Sequence, residues 1–147
     1  MSERAVSGPV GGLETGASGT IEDAVEIRLP ADSAYLSVLR TATAGLAARL
    51  DFTLDEIEDL RIAVDEACAM LLPHAITSAQ LTCRFLLDPV TLQVTVTIPT
   101  TQGQLPERDT FSWTVLSALA GEVDTGLDEE GRVWIRLRKR RHTAGAA

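Results

Sequence analysis

Long apolar runs are missing from this chain. No window approaches the roughly 18 apolar residues that a membrane-crossing helix needs. The opening residues, Met1-Ser2-Glu3-Arg4-Ala5-Val6-Ser7-Gly8-Pro9, hold no apolar signal core. A soluble, cytoplasmic protein is the expectation. Cysteine is scarce: Cys68 and Cys83 are too few for a disulfide scaffold, and their spacing suits no zinc motif. Both project toward core positions, where buried free thiols are common. His74 and His142 are far apart in sequence and keep no company of metal ligands. A nucleophilic pair of Cys68 and His74 is conceivable, but no oxyanion context accompanies it, and it is set aside. Internal repeats are absent.

Acid exceeds base, and the cations are badly spread. The net charge is −8. Arg136, Arg138, Lys139, Arg140 and Arg141 crowd the last stretch, which has no acid after Glu130. The remaining body is therefore strongly acidic, which repels nucleic acid and favours basic partners. The basic end reads first as a solvated counterweight, with contact to phosphate as the alternative.

At 147 residues the chain has the length of one domain. The 45% share of hydrophobic residues is that of a globular protein. Residues 1–22 are rich in glycine and poor in bulky apolar groups, which predicts a flexible tail. Residues 23–140 form the domain, and 141–147 a C-terminal tail. Alternation predicts a strand over 24–29, ended by Pro30. Asp32 is placed to cap a helix reaching about Leu50, with Leu36, Leu39, Leu46 and Leu50 as its stripe and Thr43 filling the gap. Thr53-Leu54-Asp55-Glu56 is a capping box opening a second helix. Ile57, Leu60, Val64, Ala67 and Leu71 form its core face, and Pro73 stops it. Two alternating strands follow, carrying Leu81, Cys83, Phe85 and Leu87, then Leu92, Val94, Val96 and Ile98, with Asp88-Pro89-Val90-Thr91 as the turn. Residues 99–110 read as a loop. A short helix over 111–120 packs Trp113, Leu116 and Ala120. Strands over 122–127 and 132–138, turning at Gly131, complete a β-α-α-β-β-α-β-β order.

The second helix has an odd outer face. Glu66 points nearly opposite the core stripe, flanked at i−4 and i+4 by Ile62 and Met70. An outer face should be polar. Apolar–acid–apolar suggests a second contact, a ligand or a partner; the alternative is that Ile62 and Met70 pack under a loop while Glu66 is solvated.

The string Asp59-Leu60-Arg61-Ile62-Ala63-Val64-Asp65-Glu66-Ala67-Cys68 resembles the first ATP-site motif of the RsbW-type anti-sigma factor and serine-protein kinase family. These are small members of the histidine-kinase-like, gyrase-like ATPase superfamily. The ending Gly131-Arg132-Val133-Trp134-Ile135-Arg136-Leu137, the chain length and the element order extend the resemblance over roughly residues 24–140. The implied fold class is α+β: a two-layer α/β sandwich with helices on one face of a mixed, mainly antiparallel sheet. The implied cofactor is ATP with magnesium, and the implied catalytic base is Glu66.

Within the resemblance three motifs depart from the family's pattern. The metal-binding Asn, four residues after the Glu, is Met70 here, and a thioether is a poor ligand for a hard cation. The second motif, Asp-x-Gly-x-Gly, corresponds to Pro99-Thr100-Thr101-Gln102-Gly103-Gln104, leaving Gly103 as its only glycine. The Gly-rich lid is replaced by Thr110-Phe111-Ser112-Trp113, where bulk replaces the glycines that let backbone approach phosphate. These departures argue against phosphotransfer and against tight binding of magnesium-ATP, with Glu66, Met70 and Gly103 left as the cofactor-site positions.

The resemblance still implies binding of a sigma factor, release by an antagonist protein, and a homodimer. It places Arg40 at the sigma-contacting position; the alternative is a surface Arg paired with a nearby acid. The cluster Asp51, Asp55, Glu56, Glu58 and Asp59 serves the helix start and could steer a basic partner. Trp134 lies on the strand face opposite Val133, Ile135 and Leu137, suited to a dimer or partner surface or to cover by the N-terminal segment. An anti-sigma factor is the expectation. An active serine kinase using Glu66, with a phosphate loop around residues 100–112, and a binding module unrelated to transcription are the rivals.

Overall fold

The computed structural model describes residues 23–142. The tail expected over residues 1–22 lies outside the described residues, as do residues 143–147. Strand β1 (Asp23–Pro30) leads through one 3-10 turn to α1 (Leu36–Arg49) and α2 (Leu54–Leu71), then β2 (Gln80–Leu87) and β3 (Thr91–Ile98). Helix α3 (Phe111–Ala120) and the strands β4 (Glu122–Leu127) and β5 (Val133–Arg140) follow. The strands form one sheet in the order β1-β2-β3-β5-β4. Every pairing is antiparallel, so the parallel component of the expected mixed sheet is not found among the described residues. Helices cover one face, which makes the two-layer sandwich anticipated from the sequence.

Strand alternation supplies the core. Ile27, Cys83, Val96 and Ile135 stand side by side across the sheet, as do Val25, Phe85, Val94 and Leu137. Most of these are fully buried beneath the helices. Alternate positions form the uncovered face: Glu26, Arg84, Thr95, Arg136 and Asp124 make one continuous row.

Helix α2 sits centrally, against α1 on one side and α3 on the other. Its capping box is complete: the Thr53 hydroxyl accepts from the Glu56 N–H at 3.1 Å, and Glu56 accepts from the Thr53 N–H at 2.8 Å. Each buried leucine on such a face contributes roughly 1.5–3 kcal/mol. Among the described residues, no helix is long and apolar enough to cross a membrane.

Two local expectations need correction. Asp32 caps the 3-10 turn Ser33–Tyr35, and the α-helix begins only at Leu36. The buried stripe of α1 is Leu36, Leu39, Thr43 and Ala47, while Leu46 and Leu50 are half-buried on its flank. Thr43 is tolerated inside because its hydroxyl donates to the Leu39 carbonyl at 2.7 Å. Helix α1 ends with Asp51 in the left-handed region (φ 62) and bonds from Phe52 N–H to Ala47 C=O and from Asp51 N–H to Ala48 C=O. That is a Schellman ending in which Asp replaces the usual glycine. The N–H groups of Arg141 and His142, at the start of the C-terminal tail, donate to the Val90 carbonyl at 2.6 Å and to Glu56 Oε2 at 2.7 Å.

Candidate functional site

The C-terminal end of α2 opens onto a cleft of about 510 Å³. Met70, Leu71 and His74 form one wall, residues 100–102 and 104–107 another, and Thr110 and Ser112 at the start of α3 the third. The loop that sequence reading left shapeless is held in place. Ile76 N–H donates to the Pro99 carbonyl at 3.0 Å and Thr101 N–H to the His74 carbonyl at 3.0 Å, with an isolated bridge joining Ala75 and Thr100. Cleft walls fixed by backbone hydrogen bonds need little ordering on binding.

Two backbone amides near the cleft are occupied internally. Gly103, in the left-handed region (φ 63), donates its N–H to the Thr100 hydroxyl at 3.0 Å. At the start of α3, Thr110 Oγ1 accepts from the Trp113 N–H at 3.2 Å. Thr110 is thus a side-chain cap at the helix end where a phosphate would otherwise be received. Farther along the loop, Arg108 turns away from the cleft. Its guanidinium lies 4.9 Å from the centre of the buried Trp113 ring and bonds Asp124 at 2.8 Å. Asp124 also accepts from Arg136 at 3.2 Å, and Arg136 stacks 5.0 Å from the Trp134 ring centre. Those bonds, together with the Thr125 N–H, hold the Asp124 carboxyl below its ordinary pKa.

Among the described residues, Glu107 is the only carboxylate in the cleft wall, and no lysine or arginine lines it. Met70 presents sulfur where an oxygen ligand is needed. No group of three or more His, Cys, Asp or Glu suited to a metal occurs among the described residues. These residues do not fit a magnesium-bound triphosphate: the wall offers neither the charge nor the hard ligands that such a group requires.

The remaining sequence candidates are dispersed. Glu66 is half-buried on the outer face of α2, near the exposed Ile62, and does not line the cleft. Of the expected cofactor positions only Met70 does; Gly103 instead faces the Gly131 carbonyl. Arg40 pairs with Asp65, its Nε 2.9 Å and 2.8 Å from the two carboxylate oxygens, so it ties α1 to α2. The acidic cluster is largely engaged as well: Glu58 pairs with Arg61 at 2.8 Å and Asp59 lies 3.7 Å from Lys139. Burial, then the neighbouring Asp65 charge, pushes the Cys68 thiol up to about 12, which removes it as a nucleophile. Cys83 is buried and shifted in the same direction.

Sequence reasoning missed Leu105, Pro106 and Glu107 as wall residues, and the Arg108–Asp124–Arg136 linkage. Only Thr110, a hydroxyl residue before an apolar run, carried a readable signal, that of a helix cap.

Known proteins share part of this sequence. The chain is 43% identical over 56 residues to the serine-protein kinase RsbW of Bacillus velezensis and 45% identical over 53 residues to that of Bacillus subtilis. The matches take up 38% and 36% of this chain and 35% and 33% of those relatives, so the chain matches about a third of their length. A crystal structure of the RsbU and RsbW domains of a Mycobacterium tuberculosis protein superposes with a TM-score of 0.63 at 16% identity, over 83% of this chain and 34% of that one. No family model matches the chain. The resemblance to RsbW kinases read from the Glu66 string is thus present in sequence over a partial region, and the fold matches that solved structure.

Proposed function

We propose that this chain is an anti-sigma factor that works by binding and not by phosphotransfer. It sequesters an RNA polymerase sigma factor in the cytoplasm, without touching nucleic acid, and an antagonist protein competes for it and releases the sigma factor. The observation that carries this reading is the cleft at the end of α2. The amide at its helix start is satisfied by Thr110, the nearby Gly103 amide by Thr100, and among the described residues its wall holds no lysine or arginine. Helix α1, with Arg40, contributes to the sigma-binding surface, and the chain acts as a homodimer.

Three measurements test it. Calorimetric titration with ATP and magnesium should give no heat in the micromolar range. Labelled phosphate should not pass from ATP to an antagonist protein; magnesium-dependent transfer would establish the kinase reading, with Glu66 as base. Glu66→Ala should leave sigma-factor retention intact, whereas Arg40→Glu should weaken it. The opposite pattern reverses the assigned roles.

A further inference from the structure

One exposed apolar side chain, Leu105, lines the cleft, and two more, Phe111 and Ile76, lie close in sequence to its wall residues. Phe111, between the wall residues Thr110 and Ser112, is 82% exposed. Leu105 lines the cleft and is 45% exposed, and Ile76, two residues beyond His74, is exposed as well. An aromatic left in water beside a concavity is a group that a contact would bury. The wall adds buried or half-buried apolar groups from Met70, Leu71 and Pro106. Its one carboxylate, Glu107, sits in a chain of net charge −8. An anionic ligand would be repelled there. A cation would find a partner.

We infer that this cleft receives a segment of a partner protein carrying a large apolar side chain with a lysine or arginine beside it. The apolar group packs among Met70, Leu105 and Phe111, and the cation pairs with Glu107. The inference rests on the non-catalytic reading above and names the chemistry that this site takes in place of nucleotide. Because the loop is already bonded to the segment after α2, the segment binds a preformed surface.

Selection of a phage-displayed random dodecapeptide library against the full chain tests this. Recovered peptides should pair an aromatic or leucine with an adjacent lysine or arginine. Synthetic copies should lose affinity by about tenfold or more for Phe111→Ser and for Glu107→Lys. Leu54→Ser, which removes a similarly exposed apolar group (85%) at the other end of α2, should bind unchanged. Thermal melts should be alike for all three variants, since none of the three side chains is buried. An empty selection, an acidic consensus, or indifference to both cleft variants overturns the inference. So does loss of a dimer in Phe111→Ser, which would make the occupant a second copy of this chain. If magnesium-ATP displaces the peptides, the non-catalytic reading fails too. If ATP is silent and the peptides ignore the cleft, only this inference fails.

Discussion

The two ends of α2 are built in opposite ways. At the N-terminal end, polar groups find partners within the chain. Thr53 and Glu56 complete the capping box, and Glu56 takes a further bond from the His142 N–H. Lys139 reaches the Leu119 carbonyl at 2.8 Å, satisfying the last turn of α3, and lies beside Asp59. At the C-terminal end, the walls are equally well held, but the surface they present is left open: a cleft, an exposed phenylalanine and a Glu107 with no ion-pair partner among the described residues. Both ends are ordered, so the difference is not one of stability. One end has used its chemistry on the fold; the other leaves it exposed, where the proposed segment would bind.

That contrast can be broken in several places. Trp113 is the buried anchor of α3 and carries Arg108 on its ring. Trp113→Ala should cost about 3–5 kcal/mol in urea unfolding and disturb the cleft as well, because α3 forms one wall. Glu56→Ala acts at the closed end. It removes the reciprocal cap and the His142 bond and should cost about 1–2 kcal/mol, with peptide binding at the cleft unaltered.

The same carboxylate gives a pH dependence. Burial alone would raise the Glu56 pKa, but the backbone amides of Thr53 and His142, the Thr53 hydroxyl and the Lys139 charge outweigh it and hold it low. A depressed carboxyl stabilises the fold above its unfolded value, near 4.5, and loses that contribution as the pH falls through the folded value. Unfolding midpoints of the wild type should therefore drop on acidification below that point more steeply than those of Glu56→Gln.

Arg40→Ala breaks an ion pair whose side chains are 39% and 38% exposed, so its stability cost should stay below about 1 kcal/mol. A larger loss in denaturant titration would make Arg40 a structural clasp between α1 and α2. Phe111→Ser should shift stability least, within about 0.5 kcal/mol. A marked destabilisation would mean that Phe111 packs in solution, and the open end would then be no more available than the closed one.

Periodicity made most of the fold legible. The alternation in β2 and β3, the Thr53–Glu56 box and the Trp113–Leu116–Ala120 spacing each depend on residues close in sequence. Those features appear where the spacing placed them. Helix α1 was read less well, because Ala47 and Leu46 are both apolar and only the angle at which α1 meets α2 chooses between them. The candidate site was half legible: its motif positions stood out, but the wall of Leu105, Pro106 and Glu107 has no periodic signature. Such a loop takes its shape from bonds to other elements.

Sequence by itself determined the elements, their order, the core face of each strand and the thioether in place of a hard ligand at Met70, since all of these follow from residue type and short-range spacing. Tertiary structure alone decided that Arg40 meets Asp65, that Glu56 binds the chain's far end at His142, and that Glu66 stands apart from the cleft. Those are contacts between segments brought together only when the sheet and helices pack, and no local pattern encodes them.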